Sequence, residues 1–289
     1  MPELPEVETV RRGLNQLLIG RTIASVTNDN PKSFPNDTQS VQSFMISATV
    51  IDVRRRAKVL MIDLSTDYTL VIHLKMTGQL VFVSTESRFG AGHPNDSLIN
   101  ALPDKSTHVT IRFADESHLF FNDQRKFGWM RLLPTLEVPN IDFMRRVGPE
   151  PLEVDFTELQ FAERFKRRAN TSIKAALLDQ SVIAGVGNIY ADESLWAAQI
   201  HPKRLVKSIT AVEFKRLYTE LRLVMNLSIE KGGSSNQNYV NAEGKKGSYM
   251  DFARVFRREG LDCPRCGAEI IKFKAAGRGT HICPQCQEL

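Results

Sequence analysis

Four cysteines near the end of the chain fall in two pairs, Cys263 with Cys266 and Cys283 with Cys286. Two residues lie inside each pair and sixteen between the pairs. That inner spacing lets both thiolates of a knuckle reach one tetrahedral metal, and the intervening length suits a single β-hairpin. Four thiolates fill the coordination sphere, so one structural zinc ion is expected, with no open position for a substrate. The hairpin it staples is expected to present Lys272, Lys274, Arg278 and His281 to phosphate or to a groove.

The other end opens Met1-Pro2-Glu3-Leu4-Pro5-Glu6. Proline and glutamate at a helix start serve capping and the helix dipole. Their position offers a second use, because removal of Met1 leaves Pro2 as a free secondary amine. An α-amine titrates at roughly 7.7–8.0, so an appreciable fraction is nucleophilic near neutral pH. Its attack on a sugar carbon at the aldehyde oxidation level yields an iminium ion with no N–H to lose, a lasting electron sink. Glu3 is placed to protonate the opening ribose ring, and Glu6 to position a water or orient the first two residues.

These groups need elements to hold them. Val7, Val10, Leu14, Leu17 and Leu18 recur at helical spacing, predicting an amphipathic helix over 5–18 that Gly20 ends. Short β-rich runs follow over 49–53, 59–63, 69–74, 79–83, 108–113 and 118–121, bounded mostly by Gly, Asn, Asp or Ser, as in an antiparallel sandwich. Residues 84–107 read as a long polar loop. Pro134, Pro139, Gly148, Pro149 and Pro151 mark a linker. Helical patterns then cover 156–168, 172–178, 189–198 and 211–230. Asn188, after Gly185-Val186-Gly187, reads as the N-cap of a helix whose free N–H groups would attract phosphate. The expected organisation is α+β, with an N-terminal antiparallel β-sandwich with flanking helices over 1–133 and a linker over 134–152. A helical domain follows over 153–260 with a Gly/Ser-rich loop at 232–248, and a zinc-ribbon β-hairpin over 261–289.

A chain of 289 residues accommodates two such cores. Lys and Arg number 38 against 33 Asp and Glu, a net +5. The cations gather in three knots: Arg54 to Lys58, Arg164 to Arg168, and a third from Arg254 to Arg278. This tilts the reading modestly toward a polyanion partner. No run approaches 18 apolar residues and no basic segment leads into an apolar one, so neither membrane span nor leader is expected. Clustered cysteines fit an intracellular metal site better than a disulfide framework.

The first fourteen residues, Met-Pro-Glu-Leu-Pro-Glu-Val-Glu-Thr-Val-Arg-Arg-Gly-Leu, resemble the opening of the bacterial formamidopyrimidine-DNA glycosylases. The resemblance continues in order through Arg54 to Lys58, His73 to Leu80, Asp123 to Gly128, Gly185 to Glu193 and the cysteine ribbon. It implies a helix–two-turns–helix element in the second domain and a bifunctional enzyme of base excision repair. Such an enzyme excises 8-oxoguanine and formamidopyrimidines from double-stranded DNA through a Schiff base on Pro2, then cuts by β,δ-elimination. The implied partner is damaged DNA, met by a monomer in the bacterial cytoplasm and associated with the nucleoid when bound.

By the same resemblance Pro2 is the nucleophile and Glu3 the acid, with Glu6 a further active-site carboxylate. Lys58, Asn188 and Arg278 pinch the backbone at the lesion, and His73 contacts phosphate. Met76, Arg125 and Phe127 fill the gap left by a flipped nucleotide, while Lys174 and Glu193 are polar positions near the site. The loop at 232–248 matches a flap over the flipped purine. Two rivals share the scaffold: an endonuclease VIII-like enzyme for oxidised pyrimidines, disfavoured by Met76, Arg125 and Phe127, and a catalytically inactive damage-binding protein, disfavoured by Pro2, Glu3 and Glu6. The chain departs from the family pattern at Gln124, where Pro or Val is common, and in the length of 84–107.

Overall fold

A computed structural model describes residues 2–93, 95–234 and 249–289. The chain forms two compact units, Met1–Arg145 with Lys231–Ser248, and Arg146–Glu230 with Tyr249–Leu289.

The first unit begins with α1, Leu4–Leu18, whose buried stripe of Val7, Val10, Leu14 and Leu18 has the expected periodicity. Then come β1 (Ile23–Asn28), α2 (Thr38–Phe44), β2 (Val50–Arg56), β3 (Val59–Leu64), β4 (Tyr68–His73), β5 (Gly78–Val83), β6 (Arg88–Gly92), β7 (Thr107–Phe113), β8 (His118–Asp123) and β9 (Trp129–Pro134). The strands form two antiparallel sheets, ordered β1-β7-β8-β5-β6 and β2-β3-β4-β9. Side chains from both sheets and from α1, among them Leu14, Leu60, Ile62, Leu80, Phe82 and Phe121, make one apolar core. The expected sandwich is therefore present. β3 is buried along its whole length because its two faces meet different partners. Leu60 and Ile62 enter the main core, whereas Val59 and Met61 pack with Val71 and Val138.

Four elements of this unit carry no clear signal in the sequence: β1, α2, β6 and β9. The stretch expected as one loop, 84–107, contains β6, which sends Phe89 and Ala91 into the core. Its glycines hide it, since Gly90 and Gly92 remove the apolar side chains by which a strand is recognised. Nor is 134–152 a slack linker. It holds a 3₁₀ turn, Thr135–Asn140, and α3, Asp142–Arg146, and it is pinned by Gly148 N–H to Gln180 O and Ala184 N–H to Pro149 O, both 2.8 Å. The boundary thus falls between 145 and 146, with 231–248 grouped with the first unit, where the sequence placed breaks at 133 and 152.

The second unit contains α4 (Glu158–Lys166), α5 (Ile173–Leu178), α6 (Asn188–Ala197), α7 (Ala211–Glu230), α8 (Tyr249–Phe252) and the hairpin of β10 (Ile271–Ala275) and β11 (Arg278–Ile282). Thr157 with Gln160 forms a capping box for α4, and Ser172 caps α5. Phe161, Phe165, Phe214 and Tyr218 join α4 to α7 through edge and tilted ring contacts. Among the described residues no helix is long and apolar enough to cross a membrane.

Where α1 meets β6 there is room only for a hydrogen: a Cβ on Gly13 would lie 2.2 Å from Phe89 Cζ. Gly13→Ala should therefore cost about 1–3 kcal/mol in urea unfolding despite the better helix propensity of alanine. A neutral or stabilising result would show that the contact yields easily.

Candidate functional site

In the first unit the candidate residues gather where strands of the two sheets end or turn. Pro2 and Glu3 are buried immediately before α1. Glu3 is the N-cap, and its N–H donates to Glu6 Oε2 at 2.8 Å within a reciprocal capping box. The other oxygen of Glu6 accepts from Ser234 N–H at 2.8 Å. One carboxylate thus holds both the dipeptide that opens the chain and the first residues of the 232–248 segment. The remainder of that segment, 235–248, on which the expected flap falls, lies outside the described residues.

Glu8, two residues on, accepts from Arg11, Arg12 and Arg55, the last at 3.0 Å. Burial alone would raise its pKa, but these bonds and the Arg55 charge outweigh it and hold the carboxyl below its usual range. Arg55 also donates to Ala57 O at 3.0 Å. Ala57 adopts a left-handed φ of 53° in the tight turn between β2 and β3, and Lys58 follows it there. Helix α1 is in this way tied to the turn that carries Lys58.

Val59 pairs with His73 across β3 and β4, which brings the Lys58 turn beside His73. The ring of His73 lies between Trp129 and Phe143, with centroids 5.9 and 5.8 Å away. Its Nδ1 accepts from Lys75 N–H at 3.0 Å, so the neutral ring carries its proton on Nε2. Burial, followed by the charges of Lys75 and Lys58, pushes its pKa down to about 3. The His73 ring therefore stays neutral, with an Nε2–H donor, across the physiological range.

Two short loops run from one sheet to the other at this end, 74–77 after β4 and 124–128 after β8. Each has one non-glycine residue in the left-handed region, Lys75 at φ 50° and Lys126 at φ 57°. They expose large apolar groups, Met76 by 37% and Phe127 by 56%. The guanidinium of Arg125 rests 4.9 Å from the centre of the Phe127 ring. Met76 thus sits on one of these loops, and Arg125 and Phe127 on the other.

In the second unit Asn188 is not the N-cap. That position is Gly187, and Asn188 is the first residue of α6. Its Nδ2 instead donates 2.9 Å to Gly279 O at the tip of the β10–β11 hairpin. Lys174, fully buried, reaches the same tip, with Nζ 2.6 Å from Asp192 Oδ1 and 2.7 Å from Thr280 Oγ1. Asp192 Oδ2 accepts from the backbone N–H of His281 at 3.0 Å and lies 3.1 Å from its Nδ1. His281 is thus buried and spoken for, where the sequence had it presented to phosphate. Arg278 is exposed, one residue from the bonded tip. Glu193 is also buried and accepts from the N–H groups of Arg254, Val255 and Phe256 at 2.8–2.9 Å. Burial keeps its pKa raised despite those bonds. Lys174 and Glu193 thus organise the hairpin and the segment leading to it.

No pattern in the sequence assigns a role to Asp123, Asp192 or Glu8. Asp123 lies within the quoted Asp-Gln-Arg-Lys-Phe-Gly, whose acid followed by a turn is the available signal. The charge knots prove less free than their clustering implied. Arg54 pairs with Asp63, Arg168 with Asp179 and Lys166 with Glu163, and Arg164 is bonded to the carbonyl groups of Ser181 and Val182.

The four cysteine sulfurs all lie within 4.8 Å of one another, with Cys263 and Cys286 3.9 Å apart and Cys266 and Cys283 3.3 Å apart. Tetrahedral thiolates around zinc at about 2.3 Å would be spaced by about 3.8 Å. The arrangement fits one zinc ion. Arg265 and Cys286 direct backbone N–H groups toward Cys263 and Cys283 sulfur at 3.5 and 3.4 Å, as a knuckle binding an anionic sulfur requires. Among the described residues the apolar cluster around the knuckles is small, built on Trp196, Val255 and Ile270, so a metal is needed to reinforce it.

Metal analysis should accordingly find one zinc per chain. Chelation should release the hairpin and lower DNA affinity by about tenfold or more, read by fluorescence anisotropy; undiminished binding by metal-free protein would contradict a structural role. For His73 the folded pKa lies below the unfolded value, so its contribution is complete above about pH 6.5 and is lost as pH falls toward 3. Lowering pH from 7 to 5 should cost wild type about 2 kcal/mol more in urea unfolding than His73→Gln.

Three family models match the chain: formamidopyrimidine-DNA glycosylase N-terminal domain over 1–130, the H2TH domain of the same glycosylase over 147–239, and the zinc finger found in FPG and IleRS over 260–289. The formamidopyrimidine-DNA glycosylase of Streptococcus pyogenes is 40% identical over 289 residues, covering 100% of this chain and 99% of that one. That of Herpetosiphon aurantiacus is 42% identical over 291 residues, covering 99% and 100%. Among solved structures, a Lactococcus lactis FPG mutant in complex with DNA containing Fapy-dG has a TM-score of 0.87 at 35% identity, covering 100% of both chains. The Lactococcus lactis enzyme with DNA containing an abasic site has a TM-score of 0.86 at 34% identity, covering 99% and 100%. With its three domains matched in order and its relatives aligned end to end, the chain belongs to the formamidopyrimidine-DNA glycosylase family.

Proposed function

We infer that this chain is a DNA glycosylase and abasic-site lyase of base excision repair, acting on oxidised purines in double-stranded DNA. The observation that carries the reading is the buried Pro2-Glu3 pair, held by Glu6 at the head of α1 in a chain of this family. A rigid helix start is a suitable mount for a nucleophile, because a small misplacement of the attacking atom costs much of the rate.

With Met1 removed, the nitrogen of Pro2 attacks C1′ of the damaged nucleotide, and the C1′–base bond breaks. Glu3 delivers a proton to the ring oxygen, the sugar opens, and the positive charge rests on an iminium nitrogen. That charge acidifies C2′, whose proton leaves as the 3′ phosphate is expelled; a second elimination expels the 5′ phosphate. The zinc ion takes no part in these steps and supports the hairpin.

The other residues make the sugar accessible. Extruding a nucleotide costs a few kcal/mol of stacking, and Met76 and Phe127 recover part of it by occupying the gap. Arg125 faces the orphaned base. Lys58 and His73 in the first unit, and Asn188 and Arg278 in the second, hold backbone phosphates. The preference for purines follows the Met76, Arg125, Phe127 set. The Lactococcus lactis relative bound to DNA containing Fapy-dG supports the same substrate class. The enzyme acts as a monomer in the bacterial cytoplasm, on the nucleoid.

Borohydride should trap a covalent protein–DNA adduct on a duplex bearing 8-oxoguanine opposite cytosine, and much less on one bearing thymine glycol. Protein that retains Met1 should trap at least about a hundredfold less, since its proline nitrogen is an amide. Equal trapping by the blocked protein would remove Pro2 from the mechanism.

A further inference from the structure

We propose that Asp123 is the positioning residue of the DNA wedge, a single buried carboxylate that sets the loops of Met76, Arg125 and Phe127 in register before DNA arrives. This rests on the reading of those three side chains as gap fillers. Asp123 is the last residue of β8 and is fully buried. Its Oδ1 accepts from Arg125 N–H at 3.1 Å and from the Thr77 hydroxyl. Its Oδ2 accepts from Phe127 N–H at 2.8 Å and Gly128 N–H at 2.5 Å. Both oxygens are thus spent on the two loops: three backbone donors from the 124–128 loop, and one hydroxyl from the residue that directly follows Met76.

The backbone of Asp123 is held as firmly as its side chain. Its N–H donates to Ser106 O at 2.8 Å, and its carbonyl accepts from Lys126 N–H at 3.3 Å and lies 3.0 Å from His108 Nε2. Gly78, just beyond Thr77, is paired with Asp123 across β5 and β8, so the cross-loop bond extends an existing ladder. Gly128 leaves the space this needs: a Cβ there would stand 3.0 Å from Asp123 Oδ2 and 2.8 Å from Phe121 Cζ.

The arrangement requires a carboxylate and not merely a polar side chain. All four donors point N–H or O–H inward, so each carboxyl oxygen must accept twice. An amide at this position accepts at one oxygen only and, in either orientation, sets its NH₂ against at least one backbone N–H donor. A loop that lost its donors to water would rearrange, and its left-handed residue Lys126 would relax. The wedge would then have to order itself at the cost of the binding it is meant to supply.

Two variants test this, Asp123→Asn and the milder Thr77→Val, which keeps shape and removes the hydroxyl that donates to Asp123 and accepts from Arg125 N–H. Each is assayed on an 8-oxoguanine:cytosine duplex and on a single-stranded oligonucleotide with one abasic site, where no stack or partner base must be replaced. The expected result is a loss of single-turnover excision on the duplex exceeding any loss of single-strand cleavage by about tenfold or more. A slowed signal from 2-aminopurine placed beside the lesion in the same duplex should accompany it. Equal losses on both substrates, or full duplex activity with either variant, overturns the proposal. If Asp123→Asn does not fold, Thr77→Val decides alone. Failure of the underlying glycosylase reading looks different, since wild type would then act on neither substrate.

Discussion

A carboxylate withdrawn from water has to be supplied with donors, and in this chain that requirement fixes nearly every functional loop. Glu6 takes the N–H groups of Glu3 and Ser234, Asp123 takes four donors from two loops, and Glu193 takes three successive N–H groups from the segment before the zinc ribbon. Asp192 joins Lys174 to His281. All four are buried side chains. Each replaces many weak apolar contacts with a few directional bonds, and directional bonds set a loop to within a fraction of an ångström where packing alone would not.

The zinc ribbon solves the same problem where there is too little apolar matter even to begin. Half of the residues in its two strands are exposed, and the apolar cluster behind its knuckles is small. A metal with four thiolates supplies the missing energy and leaves the outer surface polar. β11 is then seated on α6 through Asn188 and on α5 through Lys174, so Arg278 projects from a support held by both helices.

Charge distribution has a different meaning in the folded chain from the one suggested by composition. Much of the first two knots is committed: Glu8 collects Arg11, Arg12 and Arg55, Asp63 holds Arg54, and carbonyl groups hold Arg164. What remains for a polyanion is a smaller, placed set, including Arg125 and Arg278, which are exposed. A net charge of +5 assists encounter with DNA, whereas specificity must come from where the few available cations stand.

The elements legible before folding are those whose signals are local. α1 and α7 followed from a 3.6-residue apolar period, most core strands from runs bounded by turn residues, and the metal ribbon from the spacing of four cysteines. The chemical candidates at the chain start were legible because residue type and position coincide there, and the residues proposed for wedge and phosphate contact because short motifs matched a family in order. β6 was hidden by its glycines, β1 and β9 by weak alternation, and the domain boundary by a proline-rich stretch that proves to be bonded in place. Tertiary structure alone decided that His281 faces inward, that Asn188 spans to the hairpin instead of capping its helix, and that Lys174 and Glu193 are supports. It also decided the work of Asp123. The physical reason is common to all of these: a polar side chain has several possible partners, and which one it meets depends on residues dozens of positions away, whose proximity no local pattern encodes.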